Sequence, residues 1–182
     1  ASPPSVEKQV AFLKHVPLLR HFDDRLLAAL AGVMKLRRLS AGELLCEEGA
    51  EGDACFIIGN GNVDVFTSSG GDEHHLCTLG PGHAVGEVAL IDGKKRSASV
   101  RCRTSITVFI LGRAEFEQLL FAGNRASIRL LDNIARALSQ RVRNANARYA
   151  EIFSNREDTV PGLSAKLTDL QATVQADPVK MV

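Results

Sequence analysis

The spacing of apolar residues divides the chain into three zones. From about residue 5 to 36 the spacing is helical. Phe12, Leu13, Val16 and Leu19 form one stripe, interrupted at Pro17, and Leu26, Leu27, Leu30 and Val33 form a second. Asp23 or Asp24 suits the N-cap of that second helix, and Gly32 falls near its end. From about 37 to 112 glycines recur every few residues, with short strand-like runs between them at 55–58, 63–66, 75–79, 97–101 and 104–111. Gly59-Asn60-Gly61-Asn62 and Ser68-Ser69-Gly70-Gly71-Asp72 read as hairpin turns. Short strands at such spacing predict a small antiparallel β-barrel or jelly roll.

Helical spacing returns near Ala114, with one helix expected over 114–121 and a longer one over 125–153. Ile128, Leu131, Ala135, Leu138, Val142, Ala145, Tyr149 and Ile152 step alternately by three and four, a heptad seam. The first half of that seam is expected to pack on the barrel. The rest is too long for a barrel this small to cover, so it is expected to pair with a second copy. After a polar break at 155–162, Leu163, Leu167, Leu170 and Val174 suggest a short amphipathic helix or a frayed tail. The expected class is therefore α+β, a small β-barrel or jelly roll flanked by N-terminal helices and a long C-terminal helix. The expected organisation is an extension at 1–11, a domain at 12–153 (helices 12–36, barrel 37–112, helices 114–153) and a tail at 154–182.

Composition narrows the partners. The chain has 182 residues and a formal net charge of +1, so overall charge does not point to a polyanion. A single small anion remains compatible, because it depends on a local site. No apolar run approaches membrane-spanning length, and Ala1-Ser2-Pro3-Pro4 does not open a signal peptide. Cys46, Cys55, Cys77 and Cys102 are widely spaced and contain no C-x-x-C, which suggests reduced thiols in a cytoplasmic protein. The missing initiator Met leaves open a processed chain or an excised fragment.

The residues from Gly80 to Val100 carry the candidate chemistry. A cyclic nucleotide monophosphate presents one phosphate charge, a free ribose 2′-hydroxyl and a flat base. The phosphate suits a guanidinium fork with backbone N–H donors, which a short helix N-terminus can supply. Gly86 permits a tight turn into such a helix, expected at about 87–90, and ionised Glu87 is an acceptor for the hydroxyl. Ala98 allows close backbone approach, and Ser97 adds a donor.

Gly86-Glu87-Val88-Ala89-Leu90, then a five-residue insert, then Arg96-Ser97-Ala98-Ser99 closely resembles the phosphate-binding cassette of cyclic nucleotide-binding domains. Ala41-Gly42-Glu43, Glu48-Gly49, Gly52-Asp53, Phe56-Ile57-Ile58 and Gly61-Asn62-Val63-Asp64-Val65 match the family's strand and turn signature in order, and the resemblance covers about residues 12–145. It implies that Glu87 holds the ribose 2′-hydroxyl and Arg96 the cyclic phosphate. Ser97 and backbone N–H groups of Gly86, Val88, Ala89 and Ala98 would complete the cradle. It also implies a lid residue on the long helix, Arg141 before Asn144 or Tyr149. Val85 stands where the family usually has an aromatic. Ser97 is compatible with either cAMP or cGMP, and cAMP is preferred. Gly49, Gly52, Gly61 and Gly82 are assigned to turns.

Three other readings compete. A cupin-like metalloenzyme would draw on His74, His75, His83 and Glu87, but adjacent His74 and His75 point to opposite faces of a strand. A DNA-binding regulator of the catabolite-activator type needs a helix-turn-helix after the long helix, and too few residues follow Phe153. DNA binding by this chain alone is therefore not expected, although Arg129, Arg136 and Arg143 share a helix face. A nucleotide-independent dimerisation or docking module would use the heptad seam. The expected protein is a cyclic nucleotide sensor without enzymatic activity, metal or membrane contact, acting on an effector the sequence does not name.

Overall fold

The computed structural model describes residues 5–157. The amphipathic spacing at 163–174 lies outside them. Helix α1 (Val6–Leu13) leads through a 3₁₀ turn at Pro17–Leu19 into α2 (Asp24–Val33). The Asp23 carboxylate accepts the Leu26 N–H at 2.8 Å, so Asp23 rather than Asp24 is the cap. Helix α2 ends at Val33 and strand β1 (Lys35–Leu39) begins two residues later, inside the stretch expected to be helical. Three of the five residues of Lys35-Leu36-Arg37-Arg38-Leu39 are basic and exposed, which hides its strand character from an apolar count.

Seven further strands follow: β2 (Leu44–Cys46), β3 (Ala54–Asn60), β4 (Val63–Ser69), β5 (Asp72–Leu79), β6 (Ala84–Val85), β7 (Ser99–Cys102) and β8 (Ile106–Gly112). They form two antiparallel four-stranded sheets, ordered β1-β8-β3-β6 and β2-β7-β4-β5. This is the expected α+β jelly-roll arrangement, although β1, β2 and β6 are too short or too polar to show in the pattern. Gly70 and Gly71, both at positive φ, make the two-residue turn that pairs Ser69 with Asp72.

Ala54, Phe56 and Ile58 of β3, with Leu39, Ile106 and Val108, meet Leu45, Val63, Val100 and Cys102 of the other sheet in the core. The alternate residues Cys55 and Ile57 are also buried, so β3 is covered on both faces. The helices account for one such cover, since the Phe12 ring of α1 stacks on Phe109 of β8 at 5.3 Å. All four cysteines are free thiols, Cys55 and Cys102 buried and Cys77 exposed.

Beyond β8 come α4 (Arg113–Phe121) and α5 (Arg125–Glu157), separated by Gly123 at φ +66°. Residues up to Arg136 form one compact unit, and those from Ala137 a second. Within the first unit, the buried face of α5 is Ala126, Ser127, Leu130, Asn133 and Ile134, whereas Ile128, which opens the heptad seam, is 51% exposed. The first half of the seam therefore does not supply the packing face. A polar side chain ties down the helix rotation instead: Asn133 Nδ2 donates to the carbonyls of Leu18 (2.8 Å) and Arg20 (3.0 Å), while buried Ser127 satisfies its hydroxyl locally by donating to the Asn124 carbonyl. An apolar count passes over both residues. Within the second unit, residues 139–152 are exposed throughout, including Val142, Tyr149 and Ile152. No helix among the described residues is long and apolar enough to cross a membrane.

Candidate functional site

The 86–99 loop is hung between two strands. Its entry is β6, where Val85 lies opposite Phe56 and Ala84 opposite Ile57. Its exit is β7. At the entry Gly86 has φ +73°, and a Cβ there would overlap Arg96 Nη1 and stand 3.2 Å from the Ala54 carbonyl. Only glycine meets both demands without strain. The chain then winds through one irregular turn. Ala89 N–H donates to the Gly86 carbonyl and Leu90 N–H to the Glu87 carbonyl, each at 3.2 Å.

Helix α3 (Ala89–Asp92) starts two residues later than expected, and Ala89 N–H is already engaged by Gly86. The physical reason is that the bonds over 86–91 run from each N–H to the carbonyl three residues back, a tight turn that precedes the first helical bond from Asp92 to Val88. At the other end Gly93, at φ +59°, returns its N–H to the Ala89 carbonyl.

Arg96 is clasped through its backbone. Its N–H donates to the Ala50 carbonyl and its carbonyl accepts the Gly49 N–H, both at 2.8 Å. Glu48 N–H donates to Ser99 Oγ at 2.9 Å. The 48–53 turn thus fixes where the guanidinium starts. Gly52 belongs to the same clasp, since a Cβ there would overlap the Lys94 carbonyl and stand 2.8 Å from Ala89 Cβ. The sequence places Gly52 in a turn alone. Its contact with the loop is a close packing that a glycine in a turn-rich stretch does not disclose.

The site's charges lie deep. Glu87 is 4% exposed and the Arg96 side chain 5%. Arg96 Cζ lies 5.0 Å from the Phe56 ring centroid, a cation–π contact. The aromatic surface next to Val85 therefore comes from β3. Arg96 Nη2 stands 3.4 Å from Asp53 Oδ1, a long contact to a carboxylate that is 83% exposed. Arg96 Nη1 is buried and has no hydrogen-bond acceptor among the described residues. Burying a guanidinium costs several kcal/mol unless an acceptor compensates it, so the arrangement favours an anion beside Nη1.

Cys55, buried behind the site, reports the same field. Burial pushes its thiol pKa far up, the Glu87 charge adds to the rise, and Arg96 opposes it. Asp53 falls in the Gly52-Asp53 turn, and nothing in the sequence marks it as a neighbour of Arg96.

The other expected residues divide plainly. Val88 and Ala98 are half-buried, Ala89 is buried and Ser97 is exposed, all on the same loop as Glu87 and Arg96. Arg141 belongs to the second unit, where it shares an exposed helix surface with Asn144, Ala145, Arg148, Tyr149 and Ile152. His75 Nε2 lies 3.4 Å from Asp64, and His83 Nδ1 lies 3.0 Å from the Gly80 carbonyl. Among the described residues, no group of three His, Cys, Asp or Glu side chains is placed to hold a metal ion.

Residues 36–122 match the family described as the cyclic nucleotide-binding domain. The chain is 36% identical over 119 residues to a cGMP-dependent protein kinase, isozyme 1, of Drosophila melanogaster, covering 63% of this chain and 16% of that one. It is 37% identical over 110 residues to a cAMP-dependent protein kinase regulatory subunit of Emericella nidulans, covering 60% of this chain and 26% of that one. The chain thus spans no more than about a quarter of either relative. Among solved structures, the regulatory domain of Toxoplasma gondii PKA, crystallised with cAMP, superposes with a TM-score of 0.58 at 26% identity, covering 62% of this chain and 43% of that one. The likeness to the cyclic nucleotide-binding domain family thus rests on residues 36–122, just under half of the chain.

Proposed function

We propose that the chain is a sensor of cyclic nucleotide, cAMP in preference to cGMP, whose occupied 86–99 loop recruits a lid from the long helix. The observation that carries this reading is Arg96 Nη1, a buried guanidinium donor with no protein acceptor among the described residues. A cyclic phosphate supplies that acceptor through a charge-assisted hydrogen bond. Glu87 takes the ribose 2′-hydroxyl, Ser97 adds a donor to the phosphate, and Gly86, Val88 and Ala98 bring backbone close to it. Ala89 contributes its small size, which lets the chain pass close to the ligand. The Asp53 carboxylate holds Arg96 loosely and yields to the phosphate, because an exposed carboxylate at 3.4 Å is a weak partner.

We assign Arg141 to the lid, where its guanidinium stacks on the base. Ligand contacts made only in the closed arrangement would shift the population toward it. The ligand-binding unit is taken as residues 12–153, flanked by the extension at 1–11 and the tail at 154–182. The reading is of a cytoplasmic binding protein that passes its signal to an effector, not of an enzyme. Parallel calorimetric titrations with cAMP and cGMP test the nucleotide preference. Tighter binding of cAMP is expected, and equal or reversed affinities would remove the preference.

The exposed seam favours one addition, a homodimer through α5. Ile128, Val142, Tyr149 and Ile152 are all at least half exposed at heptad positions. Light scattering is expected to give twice the chain mass for the wild type and the single mass for Val142→Glu. A monomeric wild type at high micromolar concentration would refute the dimer.

A further inference from the structure

Arg113, the first residue of α4, touches two separate parts of the site's framework and a carboxylate on its own helix. Its backbone N–H donates to the Asp53 carbonyl at 2.7 Å, and Asp53 is the residue whose carboxylate faces Arg96. Its guanidinium lies against Gly93, the left-handed residue that closes α3. A Cβ at Gly93 would overlap Arg113 Nη1 and lie 3.0 Å from Nη2. Its Nε–H donates to Glu117 Oε1 at 2.7 Å, one turn along α4, which aims the side chain. The guanidinium occupies the space a side chain at 93 would take, and the Glu117 carboxylate holds it there.

We infer that Arg113 is a positioning residue that latches the exit turn of the phosphate loop to α4, so that rearrangement of the loop is passed to α4 through this side chain. The inference rests on the nucleotide reading above. A ligand that draws Arg96 from Asp53 changes the relation between the 53 turn and the 93 turn, and Arg113 is fixed to both. Glycine at 93 thereby has two reasons, its positive φ and the guanidinium lying over it. Coupling of this kind requires an element with two arrangements, and the latch assigns that part to α4, which ends shortly before Gly123 at φ +66°.

Hydrogen exchange of the full chain, with and without saturating cAMP, tests the latch. In the wild type, amides at 86–98 and at 113–121 are both expected to slow when cAMP is added. In Arg113→Ala, cAMP affinity is expected to fall by no more than roughly tenfold. There the 86–98 response should persist while the 113–121 response is lost. Arg113→Lys keeps a charge near Glu117 but not the flat fork, and it is expected to lose the same response. If Arg113→Ala is misfolded, its strands at 63–69 and 106–112 exchange fast without ligand, and the lysine variant then decides.

A 113–121 response that survives in the folded variant overturns the latch, as does a wild type in which only 86–98 responds. A wild type that binds neither cAMP nor cGMP overturns the nucleotide reading itself, and the latch with it.

Discussion

Arg96→Ala is expected to weaken cAMP binding by on the order of a hundredfold or more, with the fold intact. Among the described residues the Arg96 guanidinium is buried, presents Nη1 without a protein acceptor, and makes a long ion-pair contact to Asp53. Truncating one partner of a buried, hydrogen-bonded charge pair costs about 2–5 kcal/mol, and each 1.4 kcal/mol is a factor of ten. Arg96→Lys should recover little of this loss, because an ammonium cannot reach both Nη positions of the fork. The backbone clasp to Gly49 and Ala50 does not use the side chain, so the loop keeps its anchor. Calorimetric titration gives the affinity, and a thermal melt without ligand confirms folding. Affinity within threefold of wild type would show that Arg96 does not carry the phosphate.

The second large effect is expected at Gly86. An added Cβ would fall 2.0 Å from Arg96 Nη1, well inside contact distance, and the φ of +73° disfavours any L side chain. Gly86→Ala should therefore displace the guanidinium and match the binding loss of Arg96→Ala. It should also lose about 2 kcal/mol of stability from backbone strain and repacking, which lowers the melting midpoint by roughly 4–8 °C. Gly42→Ala separates the two causes. Gly42 has φ +86° but nothing within 4 Å of an added Cβ. That variant is expected to lose stability through strain alone and to keep its cAMP affinity. Equal affinity losses in both variants would mean that the Gly86 effect is general destabilisation and not a clash at the site.

Much of the site was legible because glycines and charged residues are conspicuous in sequence. Gly86, Glu87, Arg96 and the small residues beside them fall on one loop, as their spacing implied, and Glu87 and Arg96 are both buried. What surrounds them was less legible. Phe56 reads as an ordinary core residue of an apolar strand, yet it also carries the Arg96 guanidinium on its ring. Asp53 and Gly52 read as a turn, yet they form the wall against which the loop packs. Their roles depend on pairings distant in sequence, which no local pattern encodes.

The long helix shows the opposite failure. The heptad spacing does mark a helix, but Asn133 ties the packing face to the 18–20 turn through its hydrogen bonds, and Ser127 sits on that face with its hydroxyl satisfied locally. A rule that treats polar residues as solvent-facing assigns that rotation incorrectly. The edge strands β1 and β6 escaped for a similar reason. Lys35 and Arg37 mask the first, and two residues are too few to show a period in the second.

The most direct measurement is an isothermal titration of the wild-type chain with cAMP. Saturable binding of one nucleotide per chain, displaced by cGMP and abolished in Arg96→Ala, is the expected result. The absence of saturable binding of either nucleotide at millimolar concentration, in a chain shown to be folded, would contradict it.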